Sequence, residues 1–549
     1  MKFERLASSQ NGNEPISTFN ADATGALPFL LENFTGIATW AGKPIFNHDQ
    51  VIGQIDGGAE QKGKTITFSF LDGPTTIGIY NNPNNGFSEP GGYSPMSEAE
   101  KAVARESMVL WDDLIKQDIV EKNGNGADIL LANTTTGPAQ AWAYYPDNGP
   151  KYAGDVWTAD PTGNWTNAWL DYSGYGRTTL VHEIGHSLGL SHPGDYNFSD
   201  DNNGDGIPDP ITYEGDAFYA QDTKQFSIMS YFSAQKTGAQ PVDVNLALVN
   251  NPQTPLLHDI LTIQAKYGAD PTTRAGDTVY FANSNAGNAV YDLGENPFPY
   301  LSVYDAGGND TFDFSTANKG VFVDLRPGSF TSATAGALSL AEANAATEAF
   351  NAVTDEAQGD FALWTETSYN AWVTNIGNIG ANRVFNDTGV SGVTATSHRN
   401  ISIAYNTVIE NAIGGSQKDY LVGNDAVNKL SGNAGNDVLN GLGGDDILTG
   451  GAGADEFRFT ETGGKDKIAD FVSGTDKIGL TEIDANSTAA GNQAFTFIGN
   501  SAFSNVAGEL RTYSAGGQNF VAGDVDGNGV ADFTINLGTA TAAATDFFF

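Results

Sequence analysis

From residue 414 the chain repeats a nine-residue unit, read in turn as GGSQKDYLV, GNDAVNKLS, GNAGNDVLN, GLGGDDILT and GGAGADEFR. Glycine crowds the first half of each unit, and the sixth positions are Asp419, Asn428, Asp437, Asp446 and Asp455. Apolar residues hold the eighth place, among them Leu421, Leu430, Leu439 and Leu448. A unit this short cannot bury a core of its own, so successive units must stack and share one. The glycine half makes a turn, and the other half is a short strand whose apolar side chain points inward. A flexible glycine linker would not hold apolar and acidic residues in such register. The chain is therefore expected to contain a coil of stacked parallel strands.

What the turns hold follows from charge. The 549 residues carry 26 Lys and Arg against 66 Asp and Glu, a formal net charge of −40. Phosphate would be repelled, so no nucleic-acid partner is expected. With 40% apolar residues and 32 Phe the chain folds, and a folded chain must neutralise its carboxylates. The repeat is the G-G-x-G-x-D-x-U-x pattern of calcium-binding parallel β-rolls, in which turn carbonyls and the Asp face the ion. On that reading the ligands are Asp419, Asp437, Asp446 and Asp455, with the turn positions Gly432, Ala434, Gly441, Gly443, Gly450 and Ala452. Several structural calcium ions are expected. One turn departs: GNDAVNKL has Asn428 for Asp and lacks the second and fourth glycines, so its half-site should be weak or empty.

A second constraint lies at residues 178–195, TTLVHEIGHSLGLSHPGD. Histidines four apart share one helix face, so His182 and His186 can point at one metal ion. Gly189 lets the chain leave the helix with positive φ, and the turn brings in His192 as third ligand. Three neutral imidazoles leave a coordination position open, which marks a catalytic zinc site. Glu183, beside a ligand, can take the proton of a water that the metal activates. The same stretch hides a rival motif, since Gly185-His186-Ser187-Leu188-Gly189 fits the G-x-S-x-G elbow of lipases. That elbow needs a strand, a sharp turn and then a helix, and it leaves His182, Glu183 and His192 without a role. Its downstream partners would be His258 and His398, both in unremarkable contexts, and His258 is expected on a helix surface. The metal reading is preferred.

At 227–232, SIMSYF places Met229 downstream of the helix, like the Met-turn beneath the zinc of metzincins. With Tyr231 two residues on, HEIGHSLGLSHPGDY and SIMSYF together resemble the serralysin family of secreted bacterial proteases. The resemblance runs from about residue 40 to the C-terminus. It implies an α+β metzincin catalytic domain followed by an all-β calcium-binding parallel β-roll/β-sandwich domain. It also implies that Tyr231 can serve as a fifth zinc ligand, then swing away and donate a hydrogen bond to the transition state. TRAGDTVY (273–280) and YDAGGNDTFDFS (304–315) resemble the family's calcium site at the domain junction. There Arg274, Gly276 and Thr278 would act through carbonyls, with Asp305, Gly307, Asp310 and Glu410 completing the set. The final DFFF, Asp546 to Phe549, resembles an uncleaved signal for a one-step (type I) secretion machinery. A periplasmic protease inhibitor is a further partner implied by the resemblance alone.

Two acidic loops share a calcium-like spacing: Asp201, Asn203, Asp205 and Asp209, and Asp524, Asp526, Asn528 and Asp532. The second fits the family pattern, whereas the first is extra and follows the third histidine. It either binds calcium and stiffens the rim of the cleft or is a solvated acidic turn.

Residues 1–40 are read as a propeptide or flexible start, 41–270 as the catalytic domain and 271–549 as the calcium-binding domain. The last is interrupted at about 331–397, a stretch rich in Ala, Ser, Asn and Thr with one helical pattern at 335–350. With no cysteine, neither a disulfide, a thiolate zinc site nor a thiolate-blocked zymogen is available. No apolar run approaches the ~20 residues of a membrane helix. The N-terminal MKFERLASSQNGNEP has no apolar centre like that of a cleavable signal. The combined expectation is a secreted, monomeric zinc endopeptidase acting on proteins or peptides and folded by extracellular calcium. The alternative is a non-catalytic calcium-dependent surface protein in a metzincin shell, and the intact Glu183 argues against it.

Overall fold

The computed structural model describes residues 39–73, 89–146, 152–197, 209–354 and 359–549. Nearly all of the expected propeptide, and Asp201, Asn203 and Asp205 of the first acidic loop, lie outside the described residues.

In the N-terminal half, helix α1 (His48–Ile55) is closed by a capping box at Asn47. The alternation of TITFSF makes strand β1 (Thr65–Phe70), with Ile66 and Phe68 facing the core. Helix α2 (Glu98–Asp112) begins where Ser97 Oγ accepts from Glu100 N and Glu100 accepts from Ser97 N, a cap worth about 0.5–2 kcal/mol. Strands β2 (Asp118–Glu121), β3 (Ile129–Thr134), β4 (Ala141–Ala143) and β5 (Val156–Ala159) complete a sheet ordered β2-β1-β3-β5-β4. Along that path only the edge strand β4 is antiparallel. Helix α3 (Tyr175–Ser187) lies under the sheet against α2, where the buried Trp111 indole donates to Val181 O at 3.0 Å. Helix α4 (Leu257–Tyr267) packs on α1 and ends this half.

The C-terminal half coils. Strands 420–422, 438–440 and 456–458 pair in parallel in one sheet, and 429–431 and 447–449 pair in parallel in another. Successive nine-residue units thus alternate between two sheets, so a full turn of the coil takes two units. Leu421, Leu439 and Phe457 from one sheet and Leu430 and Leu448 from the other are all at most 1% exposed. Strands 311–313, 411–413, 465–468 and 533–536 extend the first-mentioned stack's partner sheet, which continues through antiparallel strands 518–524 and 509–515 to a parallel edge strand at 496–497. Each inward side chain here stacks on equivalents above and below, so no neighbour can collapse into a gap. Leu439→Ala is therefore expected to cost about 2–5 kcal/mol, read as a lowered denaturant midpoint of the full chain.

The interruption at 331–397 is more ordered than its composition suggests, and it makes this half other than all β. Helix α5 (Leu340–Val353) falls on the expected helical stretch, capped by Ser339 and Glu342. A second helix, α6 (Glu366–Thr388), was not legible: its Asn, Gly and Thr content weakens intrinsic propensity. Tertiary contacts supply the difference. Tyr369, Trp372, Val373 and Ile376 bury themselves against Val242, Val244, Ala247 and Val249 of the N-terminal half. The Trp364 and Trp372 indoles donate to Asn245 O at 2.6 Å and Val244 O at 2.8 Å. Phe350 of α5 packs edge-on against Trp169, 4.8 Å between ring centres. Near the end of α6, Asp387 accepts from His398 Nε2 at 2.8 Å and Arg399 Nε at 3.0 Å. The insertion therefore bolts the two halves together.

Candidate metal centre

Helix α3 has no polar face: from Gly176 onward nearly every residue is buried, as expected of a helix inside a core. Two glycines make this possible. A Cβ on Gly185 would lie 2.8 Å from Met229 Sδ, so only glycine lets the SIMSYF turn press against the helix. Gly189, at φ +94°, ends the helix, and a Cβ there would meet Ala59 O at 2.0 Å. The turn it permits carries His192 back beneath α3.

The three histidines come together. His182 Nδ1 lies 2.8 Å from Ile228 O, His186 Nδ1 2.7 Å from Leu190 O and His192 Nδ1 3.1 Å from Tyr196 O. A carbonyl can only accept, so each Nδ1 carries the proton and each Nε2 presents a lone pair. The Nε2 atoms of His186 and His192 are 3.1 Å apart, and those of His192 and His182 are 3.3 Å apart. Burial pushes His182 down to about 3, His186 to about 4 and His192 in the same direction, which favours the neutral imidazole at all three. Three lone pairs held this close repel one another unless a cation stands among them, and the donor set fits a metal ion.

Glu183 is 7% exposed, and its Oε2 has no hydrogen-bond partner. Burial pushes its carboxyl up to about 8, and the charge of a metal ion among the three imidazoles would favour the ionised form. The Tyr231 ring lies 4.5 Å from that of His192 and 6.1 Å from that of His182. Tyr145 stands on another side, 5.7 Å from the His186 ring. Ser187, the nucleophile of the rival motif, is inside the helix, fully buried and donating to Ile184 O at 2.8 Å. No strand-turn-helix elbow exists there. His258 also departs from expectation: it is fully buried on α4 and stacks on Phe226, 5.0 Å between ring centres.

Two positioning acids escaped the sequence reading. Asp259 on α4 accepts from Ser227 Oγ at 2.6 Å and Ile228 N at 2.7 Å, fixing the turn whose Ile228 carbonyl orients His182. Asp222 accepts from Tyr196 Oη at 2.8 Å and Ser230 Oγ at 2.7 Å, tying the residue that orients His192 to the same turn. An acid in the first turn of a helix was the one available signal for Asp259, and it reads equally well as a cap.

The acidic turns of the roll form two ladders. Asp437 Oδ1 accepts from Asp419 N at 2.8 Å and Asp455 Oδ1 from Asp437 N at 2.9 Å, while Asp446 Oδ1 accepts from Asn428 N at 2.8 Å. Asp466 and Asp476, outside the strict repeat, extend them by accepting from Asp446 N and Asp455 N. The second carboxylate oxygens of Asp437 and Asp446 are buried without a partner. Burial, with repulsion along each ladder, pushes Asp419 up to about 8 and Asp437 and Asp446 to about 7. Gly414, Gly432, Gly441 and Gly450 open the turns over these oxygens; Gly443, Ala434 and Ala452 follow within the same turns, and Ala434 bridges to Ala452. Asn428 instead turns its amide nitrogen to Glu410 O at 2.9 Å, a donor where neighbouring turns show carboxylate oxygens.

At the junction, Asp310 Oδ1 accepts from Thr278 N at 2.8 Å and Glu410 Oε2 from Asp310 N at 2.7 Å. Thr278 Oγ1 donates to Gly276 O at 2.9 Å, and Asp305 Oδ1 accepts from Gly307 N at 2.8 Å. Arg274 adopts φ +50° and reaches Asp113 at the end of α2 with its guanidinium, 2.5 Å away. Burial, then repulsion from Asp305 and Glu410, raises Asp310 to about 7. Asp524, Asp526 and Asp532 also bring carboxylate oxygens within 4.8 Å of one another. Of the first acidic loop only Asp209 is described.

A buried helix with convergent imidazoles and an adjacent free glutamate, under a mixed sheet, defines the N-terminal half as a metallopeptidase. A family profile described as Peptidase M10 serralysin C terminal matches residues 269–359 and 380–549, and its break falls within the 331–397 stretch. Metallopeptidase AprA of Pseudomonas marginalis is 35% identical over 93% of this chain and 93% of its own length. Serralysin G of Dickeya chrysanthemi is 33% identical over 93% and 88%, and serralysin of Photorhabdus luminescens 36% over 73% and 69%. The chain belongs to the serralysin family of metalloendopeptidases. Its substrates are proteins, and no helix among the described residues is long and apolar enough to cross a membrane.

Proposed function

We propose that the protein is a secreted zinc endopeptidase whose catalytic metal is held by His182, His186 and His192, and whose roll is folded by calcium. The observation that carries the first part is the convergence of three Nε2 lone pairs beside the carboxylate of Glu183. When bound, zinc supplies Lewis-acid polarisation of the scissile carbonyl. Glu183 accepts a proton from the attacking water and returns it to the leaving amine. Tyr231, close to two of the imidazoles, would be a further residue to hold the metal and, turned away from it, would donate a hydrogen bond to the developing oxyanion. Tyr231→Phe is expected to lower kcat by ~10²–10³-fold with a smaller change in KM, measured on one peptide at saturating zinc.

The paired acidic turns, with buried carboxylate oxygens lacking donors, support calcium between adjacent turns of the roll. The Gly276, Asp305, Asp310 and Glu410 cluster supports one more ion at the junction. Outside the cell, calcium at ~10⁻⁴–10⁻³ M fills weak sites of this kind and folding follows. Export through a type I machinery by the Asp546–Phe549 tail completes the reading. In the folded chain Phe547–Phe548 of that tail form the end strand of the sheet that holds strands 420–422, 438–440 and 456–458, and Asp546 accepts from Ser473 Oγ at 2.5 Å and Gly474 N at 3.0 Å. Recognition of the tail must then precede folding.

A casein digest in excess calcium tests the enzyme reading. A zinc-selective chelator should abolish hydrolysis and a serine-directed inhibitor should leave it intact; hydrolysis that survives the chelator refutes the zinc assignment.

A further inference from the structure

Strand β4 is the edge of the N-terminal sheet, and no strand among the described residues pairs with its outer side. The hydrogen bonds it does make show which of its groups stay open. Ala159 N donates to Gln140 O at 2.7 Å, Tyr144 N to Asp155 O at 2.9 Å and Gly154 N to Tyr144 O at 2.9 Å, all on the β5 side. Antiparallel pairing alternates, so the N–H and C=O groups of Ala141 and Ala143 point the other way. Side chains alternate as well, between the two faces of the sheet. Trp142 and Tyr144 share one face, where both donate to Glu89 Oε1, at 2.9 and 2.5 Å. Ala143 lies on the other, packed on the core that holds Leu180, Val181 and Ile184 of α3.

Tyr145 stands where that open edge reaches the metal centre, on the same face as Ala143. Its ring meets the His186 ring edge-on, with 5.7 Å between centres and 77° between planes. On another side it rests on Gly57, where a Cβ would lie 3.1 Å from Tyr145 Cε1. Gly57 is itself tied to the turn that leads to His192, since Gly57 N donates to Gly189 O at 3.0 Å. The ring is thus held from two sides, yet Tyr145 remains 43% exposed. A large aromatic side chain fixed in place and still open to solvent, between an unpaired strand edge and a metal ligand, is a surface for a side chain of the ligand.

We propose that Tyr145 is a specificity-determining residue whose ring receives a large apolar side chain, aromatic above all, of a substrate extended along the open edge of β4. The inference rests on the endopeptidase reading above. A substrate strand that hydrogen-bonds to Ala141 and Ala143 continues past Tyr145. Its side chains alternate too, and one that lies opposite or diagonal to Tyr145 on the α3 face meets the ring. An aromatic side chain there gains from buried area and from ring geometry, whereas alanine gains from neither. The ring carries this contact and the hydroxyl does not, so phenylalanine at 145 serves equally well.

The test uses the full zinc- and calcium-loaded chain and paired peptides that differ only by Phe or Ala at each position flanking the cleaved bond. At one position Tyr145→Ala should lower the Phe-to-Ala ratio of kcat/KM by ~3- to 10-fold and leave the ratios elsewhere as they are. Tyr145→Phe should keep the wild-type ratio. Tyr145→Leu, which keeps an apolar side chain on Gly57, should lower it at the same position. A ratio within one preparation does not depend on the folded fraction, so a poorly folding variant still reports. Ratios unchanged in Tyr145→Ala and Tyr145→Leu overturn the contact and leave the endopeptidase standing. So does a ratio lowered as much in Tyr145→Phe as in Tyr145→Ala, or a fall spread evenly over every position. No cleavage of any peptide by the wild type overturns both.

Discussion

Glu183→Gln is expected to lower kcat/KM by ~10²–10⁴-fold while the chain retains its zinc. Glutamine keeps the size of the side chain, and the three imidazoles are oriented by the carbonyls of Ile228, Leu190 and Tyr196, none of which depends on residue 183. The substitution therefore removes a proton acceptor and little else. The native side chain is buried, and one of its oxygens has no hydrogen-bond partner among the described residues. Zinc content by atomic absorption and peptide hydrolysis on the same sample separate the two effects. Full activity in the variant would refute the role of Glu183; loss of zinc would shift the fault to the metal site. A matched change at Asp259 is instructive: Asp259→Asn should weaken metal binding by ~10–100-fold, because it loosens the turn that orients His182.

Calcium-free protein should be less stable at pH 8 than at pH 5, and millimolar calcium should reverse that order. Burial and mutual repulsion hold Asp419 near 8 and Asp437, Asp446 and Asp310 near 7 in the folded chain, against an ordinary value of 3.8. A folded pKa above the unfolded one means the folded state binds more protons. The contribution is complete below about 4 and is lost as pH rises through 7 to 8. Calcium inverts the dependence because it takes the place of those protons, and its affinity grows as the carboxylates ionise. Each site filled at a hundred times its Kd adds about 2.7 kcal/mol, so several sites together exceed what one core substitution removes. Thermal unfolding of the full chain, dialysed free of calcium and then with calcium restored at both pH values, checks the sign. The same Tm at pH 5 and 8 without calcium would refute the ladder of uncompensated acids. Proton release on calcium addition in weak buffer is an independent check.

These two sites were unequally legible. The His182–His192 motif is local: helical periodicity and one glycine turn bring its ligands together, so spacing alone announced it. The nine-residue repeat was legible for the same reason, since each unit dictates its own turn and strand. The sharing of carboxylates between alternate turns was not, because it depends on strands 18 residues apart pairing across one sheet. Asp466 and Asp476 join those ladders although the spacing around them breaks the repeat. Asp259 and Asp222 were invisible because their partners are distant backbone groups and hydroxyls, which leave no periodic trace. The helix α6 was hidden by weak intrinsic propensity, and the apolar hairpin it covers stabilises it.

The sequence by itself determined the coil of parallel strands, the excess of carboxylates and the helix that brings two imidazoles to one face. Each is written in residues within a few turns of one another, where backbone geometry leaves little choice. Tertiary structure decided which acids lie side by side and which carbonyls fix the imidazole tautomers. Those outcomes depend on burial and on contacts between distant segments, and a linear pattern specifies neither the depth of a charge nor its neighbours.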